Sequence, residues 1–88
     1  MKIKDGYHLR EVGGVNVVVA IGEAARDFHG IANLNDTGAF LFKALKDGAT
    51  AEALADALTE AFEVERDVAA RDVTAFLTEL QHAGMLAD

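Results

Sequence analysis

The hydrophobic pattern of the chain changes period once, near residue 35. Before that point apolar side chains recur at every second position and Val and Ile dominate, which predicts β-strands. Three strands are predicted, over residues 7–12, 15–21 and 28–34. Gly13 and Gly14 fill the two positions between the first two strands, and a two-residue Gly-Gly loop is typical of a hairpin. We therefore predict an antiparallel sheet in the first part of the chain.

Three further features of this sheet follow from the pattern. Val15, Val17, Val19 and Ile21 share one face of the second strand, which suits a half-buried sheet. Residues 22–27 (GEAARD) are predicted to be a polar loop. The third strand is the last before the helices, so we expect it at an edge of the sheet, where Gly30 weakens it.

After residue 35 apolar residues recur at intervals of three and four, which predicts three helices. The predicted helices run over about 36–46, from Thr50 to about residue 62, and from 65–67 to about 82. Asn35 and Thr50 are the expected N-caps of the first two, since their side-chain oxygens can accept a backbone N–H. Gly48 and Gly84 are expected to end the first and third helices, after which Met85 and Leu86 fold back on the core.

This order of elements predicts one α+β domain spanning residues 1–88. Three short strands in an antiparallel sheet, followed by three helices, indicate a winged helix-turn-helix-like unit. The usual winged domain places its β-wing after the helices, so the strands-first order is itself informative.

Composition and charge exclude several functions. The 88 residues carry a formal charge of −7 and contain no cysteine and no serine. Disulfides, thiolate or serine nucleophiles and the serine-linked arm of an acyl carrier protein are therefore excluded. The negative charge argues against binding of nucleic acid. No apolar run reaches the length of a membrane span or a signal peptide, so we expect a cytoplasmic protein that does not enter membranes.

No enzyme, cofactor or metal site is predicted. The three histidines, His8, His29 and His82, fall on different predicted elements without ligand spacing. The acidic residues do not pair with a nucleophile, a histidine or a metal cluster in any recognisable spacing.

Four motifs, in order, resemble the PqqD family, whose domain is also known as the RiPP recognition element, a domain that binds ribosomally made precursor peptides. They are Leu34-Asn35-Asp36-Thr37-Gly38, then Asp47-Gly48-Ala49-Thr50, then Asp72-Val73 with Phe76-Leu77 and Leu80, and finally Gly84-Met85-Leu86. The resemblance covers roughly residues 7 to 87. It implies a module without catalysis that holds the leader part of a precursor peptide and presents its core to a modifying enzyme, often a radical SAM protein.

The resemblance also implies where the leader binds: as an added strand on the third strand, with side chains in a groove beside the third helix. An edge strand offers unpaired N–H and C=O groups, which supports this mode independently. The predicted peptide-binding residues are Phe28, His29, Gly30, Ile31, Ala32, Asn33, Arg71, Asp72, Val73 and Phe76.

Each of these predictions has a simpler structural alternative. Residues 28–34 could be an ordinary edge strand, and Val73 and Phe76 could be plain core. Arg71 could pair with an acidic leader residue or with Asp67 on its own helix. For the whole chain, the alternatives are a winged-helix DNA-binding regulator and a self-associating structural module. The peptide-binding interpretation predicts a monomer or a weak dimer.

Overall fold

The computed structural model describes residues 1–27 and 32–87. Within them the chain forms three strands and four helices: β1 (Tyr7–Val12), β2 (Val15–Ala20), α1 (Ala24–Asp27), β3 (Ala32–Leu34), α2 (Asp36–Lys46), α3 (Ala51–Phe62) and α4 (Arg66–His82). The strands make one antiparallel sheet in the order β1-β2-β3. The predicted α+β fold with an antiparallel sheet is confirmed, and the winged helix-turn-helix assignment stays a prediction.

The hairpin between β1 and β2 is confirmed. Val12 pairs with Val15, so the turn consists of Gly13 and Gly14 alone. Their φ angles are 58° and 81°. Positive φ at both central positions defines the turn whose twist matches that of the strands, and glycine adopts it without steric cost.

One prediction about the chain between β2 and α2 is wrong, and another falls partly outside the described residues. Residues 22–27 were predicted as loop, but Ala24–Asp27 form the short helix α1, so the described residues contain four helices and not three. A single turn is too short to show a helical period. Among the described residues the third strand covers only Ala32–Leu34. The predicted strand and peptide-binding positions Phe28, His29, Gly30 and Ile31 lie outside the described residues.

The face of β2 that packs on the core is the opposite of the one carrying Val15 and Ile21. Val18 is completely buried in the main core cluster and Ala20 packs against it. Opposite them, Leu9 pairs with Val18 and Tyr7 with Ala20, so these four side chains share the inner face. Val15 and Ile21, on the outer face, are 46% and 54% exposed.

The predicted boundaries of α2, α3 and α4 agree with the structure. Asn35 Oδ1 accepts the Gly38 N–H at 2.8 Å, and Thr50 Oγ1 accepts the Ala53 N–H at 3.1 Å, so both predicted N-caps are confirmed. Gly48 and Gly84 follow α2 and α4 with positive φ, as predicted. No helix in residues 1–27 or 32–87 combines the length and apolar character needed to cross a bilayer.

The core lies between the sheet and the three longer helices, and both ends of the chain close it. Met85 is buried, which confirms that the chain folds back after α4. Ile3, for which the sequence pattern predicted no element, is 2% exposed and bridges to Leu86 in an antiparallel pair. The Lys4 N–H donates to the Met85 carbonyl at 2.8 Å, so the N-terminal residues are tied to the end of the fold.

Candidate functional site

The site begins at β3, which lies at one edge of the sheet. Its pairing with β2 matches Leu34 to Asn16, Asn33 to Val17 and Ala32 to Val18. In residues 1–27 and 32–87 no further strand pairs with its other side. The prediction that the third strand is an edge strand is therefore confirmed for the described part of the chain.

The register shows which backbone groups of β3 face outwards. In a two-residue hairpin the flanking residues form a hydrogen-bonded pair, and such pairs alternate along the strands. Val12 and Val15 are that pair, and the Ile21 N–H donates to the Gly6 carbonyl at 2.8 Å in the same phase. Odd-numbered residues of β2 therefore bond to β1, and Asn16 and Val18 bond to β3.

It follows that Leu34 and Ala32 direct their N–H and C=O groups towards β2, since they face Asn16 and Val18. Asn33, between them, directs its N–H and C=O away from the sheet. An exposed edge strand with outward backbone groups is the geometry to which an extended chain can add.

A cavity of about 320 Å³ lies beside this edge. It is walled by the end of β3, the first turns of α2 and one face of α4. The described residues that line it are Asn33, Leu34, Asn35, Thr37, Gly38, Leu41, Asp72, Ala75, Phe76 and Glu79.

The wall from α2 is fixed by its N-cap. Asn35 Oδ1 accepts from the Gly38 N–H at 2.8 Å and from the Thr37 hydroxyl at 3.0 Å. These bonds hold the turn from β3 into α2 in one geometry. Gly38 then brings the helix backbone close to both neighbouring walls: a Cβ there would lie 3.5 Å from Leu34 Cβ and 3.4 Å from Phe76 Cε1.

The wall from α4 is one face of that helix. Asp72, Ala75, Phe76 and Glu79 stand at positions i, i+3, i+4 and i+7, which lie above one another in an α-helix. The Phe76 ring is half-buried and packs against the core, whereas Asp72 and Glu79 are exposed. The cavity therefore has an aromatic floor with a carboxylate one helical turn to either side.

The electrostatic character of the cavity is negative. Among its described lining residues there is no lysine, arginine or histidine. Neither Asp72 nor Glu79 makes an ion pair or a side-chain hydrogen bond with another residue in 1–27 or 32–87. Both carboxylates are thus available to a ligand in the cavity.

The predicted site residues do not all meet here. Asn33, Asp72 and Phe76 line the cavity, and Ala32 pairs with β2 next to it. Val73 is 1% exposed, belongs to the core and does not line the cavity. Arg71 is exposed but does not line the cavity. The described residues do not include an Arg71–Asp67 ion pair, and Asp67 Oδ1 accepts the Val68 N–H instead.

The predicted peptide-binding residues did not include seven residues that line the cavity: Leu34, Asn35, Thr37, Gly38, Leu41, Ala75 and Glu79. The helical spacing from Asp72 and Phe76 could have found Ala75 and Glu79, since all four share one face. Gly38 was identified only as part of a motif, and no pattern in the sequence indicates that it lies close to Phe76.

An open sheet edge beside a groove with an aromatic floor is the geometry of small domains that bind extended peptide segments. The family model described as "Coenzyme PQQ synthesis protein D (PqqD)" matches residues 17–86, and the chain therefore belongs to the PqqD family. The resemblance inferred from the four motifs is confirmed.

Two solved structures are similar to this chain. One, "Lasso peptide synthetase B1 complexed with the leader peptide", is 30% identical with a TM-score of 0.74, and the match covers 96% of this chain and 93% of that chain. The other, "TbiB1 in Complex with the TbiA(beta) Leader Peptide", has a TM-score of 0.77 over 99% of this chain and 95% of that chain. Because the second is only 23% identical to this chain, it supports the fold alone. Among curated proteins none matches the chain closely.

Proposed function

We propose that this protein binds the leader region of a ribosomally synthesised precursor peptide and presents the core of that peptide to a modifying enzyme. The leader adds to β3 as a further antiparallel or parallel strand, and its side chains enter the cavity against α4. The domain itself performs no chemistry. Membership of the PqqD family and likeness to a lasso peptide synthetase B1 held with a leader peptide support this function.

The observation that carries the proposal is the position of Asn33. Its N–H and C=O are directed away from the sheet and the residue lines the cavity, so one ligand strand can form main-chain hydrogen bonds and place side chains between β3 and α4. Main-chain pairing supplies affinity that is independent of sequence, and the cavity supplies selectivity.

The electrostatics of the site support a peptide over DNA as the ligand. Asp72 and Glu79 line the cavity and would repel phosphate groups, and the whole chain carries a charge of −7. A DNA-binding surface normally needs lysine and arginine side chains that displace counterions from the phosphates.

The partners we propose are the precursor peptide and a peptide-modifying enzyme such as a radical SAM protein. We place this encounter in the cytoplasm, with the protein as a monomer or a weak dimer. A free β3 edge is needed for leader binding, so self-pairing through β3 would compete with it.

Fluorescence anisotropy with the precursor-like peptide encoded nearest this gene, split into leader and core halves, tests the function. We expect saturable binding of the leader at micromolar or tighter concentrations and no binding of the core. Sedimentation of the protein alone, at the same concentrations, shows whether dimerisation through the edge takes place. Absence of leader binding by a folded, monomeric protein would overturn the proposal.

A pair of variants tests the binding mode. Asn33→Pro removes the outward N–H at a position where an edge strand accepts proline, while Asn33→Ala keeps the N–H and removes only the side chain. One lost main-chain hydrogen bond weakens binding by roughly five- to tenfold. We expect that loss for the proline variant and less than about a twofold change for the alanine variant. Equal affinity for both variants would argue against strand addition at β3.

A further inference from the structure

The two carboxylates of the cavity indicate which leader side chains it selects. Asp72 and Glu79 flank Phe76 on one face of α4, and neither is neutralised by another described residue. Because Asp72 lies four residues before Phe76 and Glu79 three residues after it, each is about 5–6 Å from it between Cβ atoms.

An added strand has a matching spacing. Its side chains alternate between the two faces of the sheet, so side chains on the same face recur every two residues, roughly 6.6 Å apart. In an added strand that runs alongside α4, a side chain seated over Phe76 has a same-face neighbour at about the distance of the adjacent carboxylate. The long, flexible stem of lysine or arginine accommodates the small difference.

We infer that the groove selects a leader segment with an apolar residue and a basic residue two positions apart, in either order. The apolar residue packs on Phe76, and the lysine or arginine pairs with Asp72 or Glu79. This inference rests on the proposed function and adds the chemical class of the ligand to it. The apolar residue fills the part of the cavity formed by Leu34, Leu41 and Phe76. The cation supplies a charge-assisted contact that the protein leaves open.

The opposite preference, for an acidic leader residue, is disfavoured by the same geometry. Two uncompensated carboxylates within the groove would repel it, and Arg71, the neighbouring cation on α4, does not line the cavity. A purely apolar leader would gain nothing from Asp72 and Glu79 and would partly desolvate them, which is unfavourable.

The test combines charge changes on both partners. In the leader half of the precursor-like peptide encoded nearest this gene, each lysine and arginine is replaced in turn by glutamate, and binding is measured by anisotropy. The protein is tested as wild type, as Asp72→Asn, as Glu79→Gln and as the double variant. We expect each neutralisation to raise Kd by about two- to fivefold, with a smaller effect of added salt on the double variant than on wild type.

A charge exchange makes the pairing specific. One leader position should lose affinity on replacement by glutamate and recover it with Asp72→Lys or Glu79→Lys. The matched control is Glu11→Gln with Glu60→Gln, which removes the same total charge at exposed positions outside the cavity and should leave Kd within about twofold.

The outcomes separate this inference from the function beneath it. Leader binding that is unchanged in the Asp72 and Glu79 variants, or a tightly bound leader without a basic residue, would overturn the inference and leave the function standing. A leader that does not bind wild-type protein would overturn both. Far-UV circular dichroism of each variant checks the fold, which we expect to be kept because both carboxylates are exposed.

Discussion

Gly38 on α2 lies so close to Phe76 on α4 that a Cβ atom at position 38 would be 3.4 Å from Cε1 of the ring. The same Cβ would lie 3.1 Å from Asn35 Oδ1, the oxygen that caps α2. One missing side chain thus keeps the cavity open and leaves room for the cap. The helix propensity of glycine is poor, so this position favours access to the cavity over local helix stability.

We expect Gly38→Val to weaken leader binding at least tenfold, because its γ-methyl groups occupy the space between Leu34 and Phe76. Crowding of the cap should also lower the free energy of unfolding by about 1 kcal/mol. Urea unfolding and anisotropy measure the two effects on the same protein.

The variant Asn35→Ala separates these effects, since it removes the cap without filling the cavity. It should lose about 1 kcal/mol of stability and keep most of its affinity. The double variant should be less destabilised than the sum of the single ones, because the crowded oxygen is gone. Wild-type affinity of Gly38→Val would show that the ligand does not use this part of the cavity.

A larger side chain at position 75, now Ala75, should fill the cavity without lowering the stability of the fold. Ala75 is exposed on α4 and lines the cavity next to Phe76. Leucine is nearly as good a helix former as alanine, so Ala75→Leu should change the free energy of unfolding by less than about 0.5 kcal/mol. We expect its leader affinity to fall at least about tenfold through steric overlap.

The matched control for this variant is Ala61→Leu, at an exposed position of α3 that does not line the cavity. It adds the same side chain to the same kind of helical surface. We expect wild-type affinity and stability from it. If both leucine variants bind the leader equally well, the ligand lies outside the cavity.

The atoms around Gly6 lie so close to it that they leave no room for a side chain. Its φ is +96°, and a Cβ there would lie 2.8 Å from Ala24 Cβ and 2.9 Å from the Ile21 carbonyl oxygen. We expect Gly6→Ala to lower the free energy of unfolding by about 2–4 kcal/mol, through backbone strain and overlap together. Thermal and urea unfolding measure this loss.

Gly14→Ala is the control that isolates the overlap. Gly14 also has a positive φ, of +81°, but a Cβ there meets nothing within 4 Å. Strain alone should cost about 1–2 kcal/mol. The difference between the variants therefore reports the overlap of a Cβ at position 6 with Ala24 and with the Ile21 carbonyl, and equal losses would show that this overlap is readily relieved.

The parts of the fold that the sequence predicted well are those with local chemical signals. Asn35 and Thr50 mark the starts of α2 and α3 because their side chains bond to the next turn, and glycines mark the ends of α2 and α4. The inner face of β2 was not predictable in this way. Its sequence Val-Asn-Val-Val-Val-Ala is apolar on both faces, so alternation alone does not decide which face packs on the helices.

The candidate site shows the same division. Asp72 and Phe76 were predicted from the family motif, and the edge position of β3 was predicted from the order of the elements. That α2 meets α4 at Gly38 depends on packing between residues far apart in the chain. The burial of Val73, beside Asp72, depends on the rotation of α4, which a broad apolar stripe leaves undetermined.

Ile3 shows that the first residues are part of the core. Its side chain is 2% exposed, its N–H donates to the Leu45 carbonyl at 3.1 Å, and its backbone bridges to Leu86. Truncation of a fully buried isoleucine costs about 2–5 kcal/mol. In a domain of this size such a loss lowers Tm by at least about 8 °C. We therefore expect Ile3→Ala to melt well below wild type.

Two further variants keep this prediction testable if Ile3→Ala does not fold. Ile3→Val removes one methylene group and should cost about 0.5–1.5 kcal/mol. Val12→Ala, at a side chain that is 64% exposed, should cost less than about 0.5 kcal/mol. In calorimetry, wild type and Val12→Ala should have similar Tm values, Ile3→Val a lower Tm, and Ile3→Ala the lowest. An Ile3→Ala protein as stable as Val12→Ala would mean that residues 1–4 contribute little to the fold, even though they pair with residues 85–87.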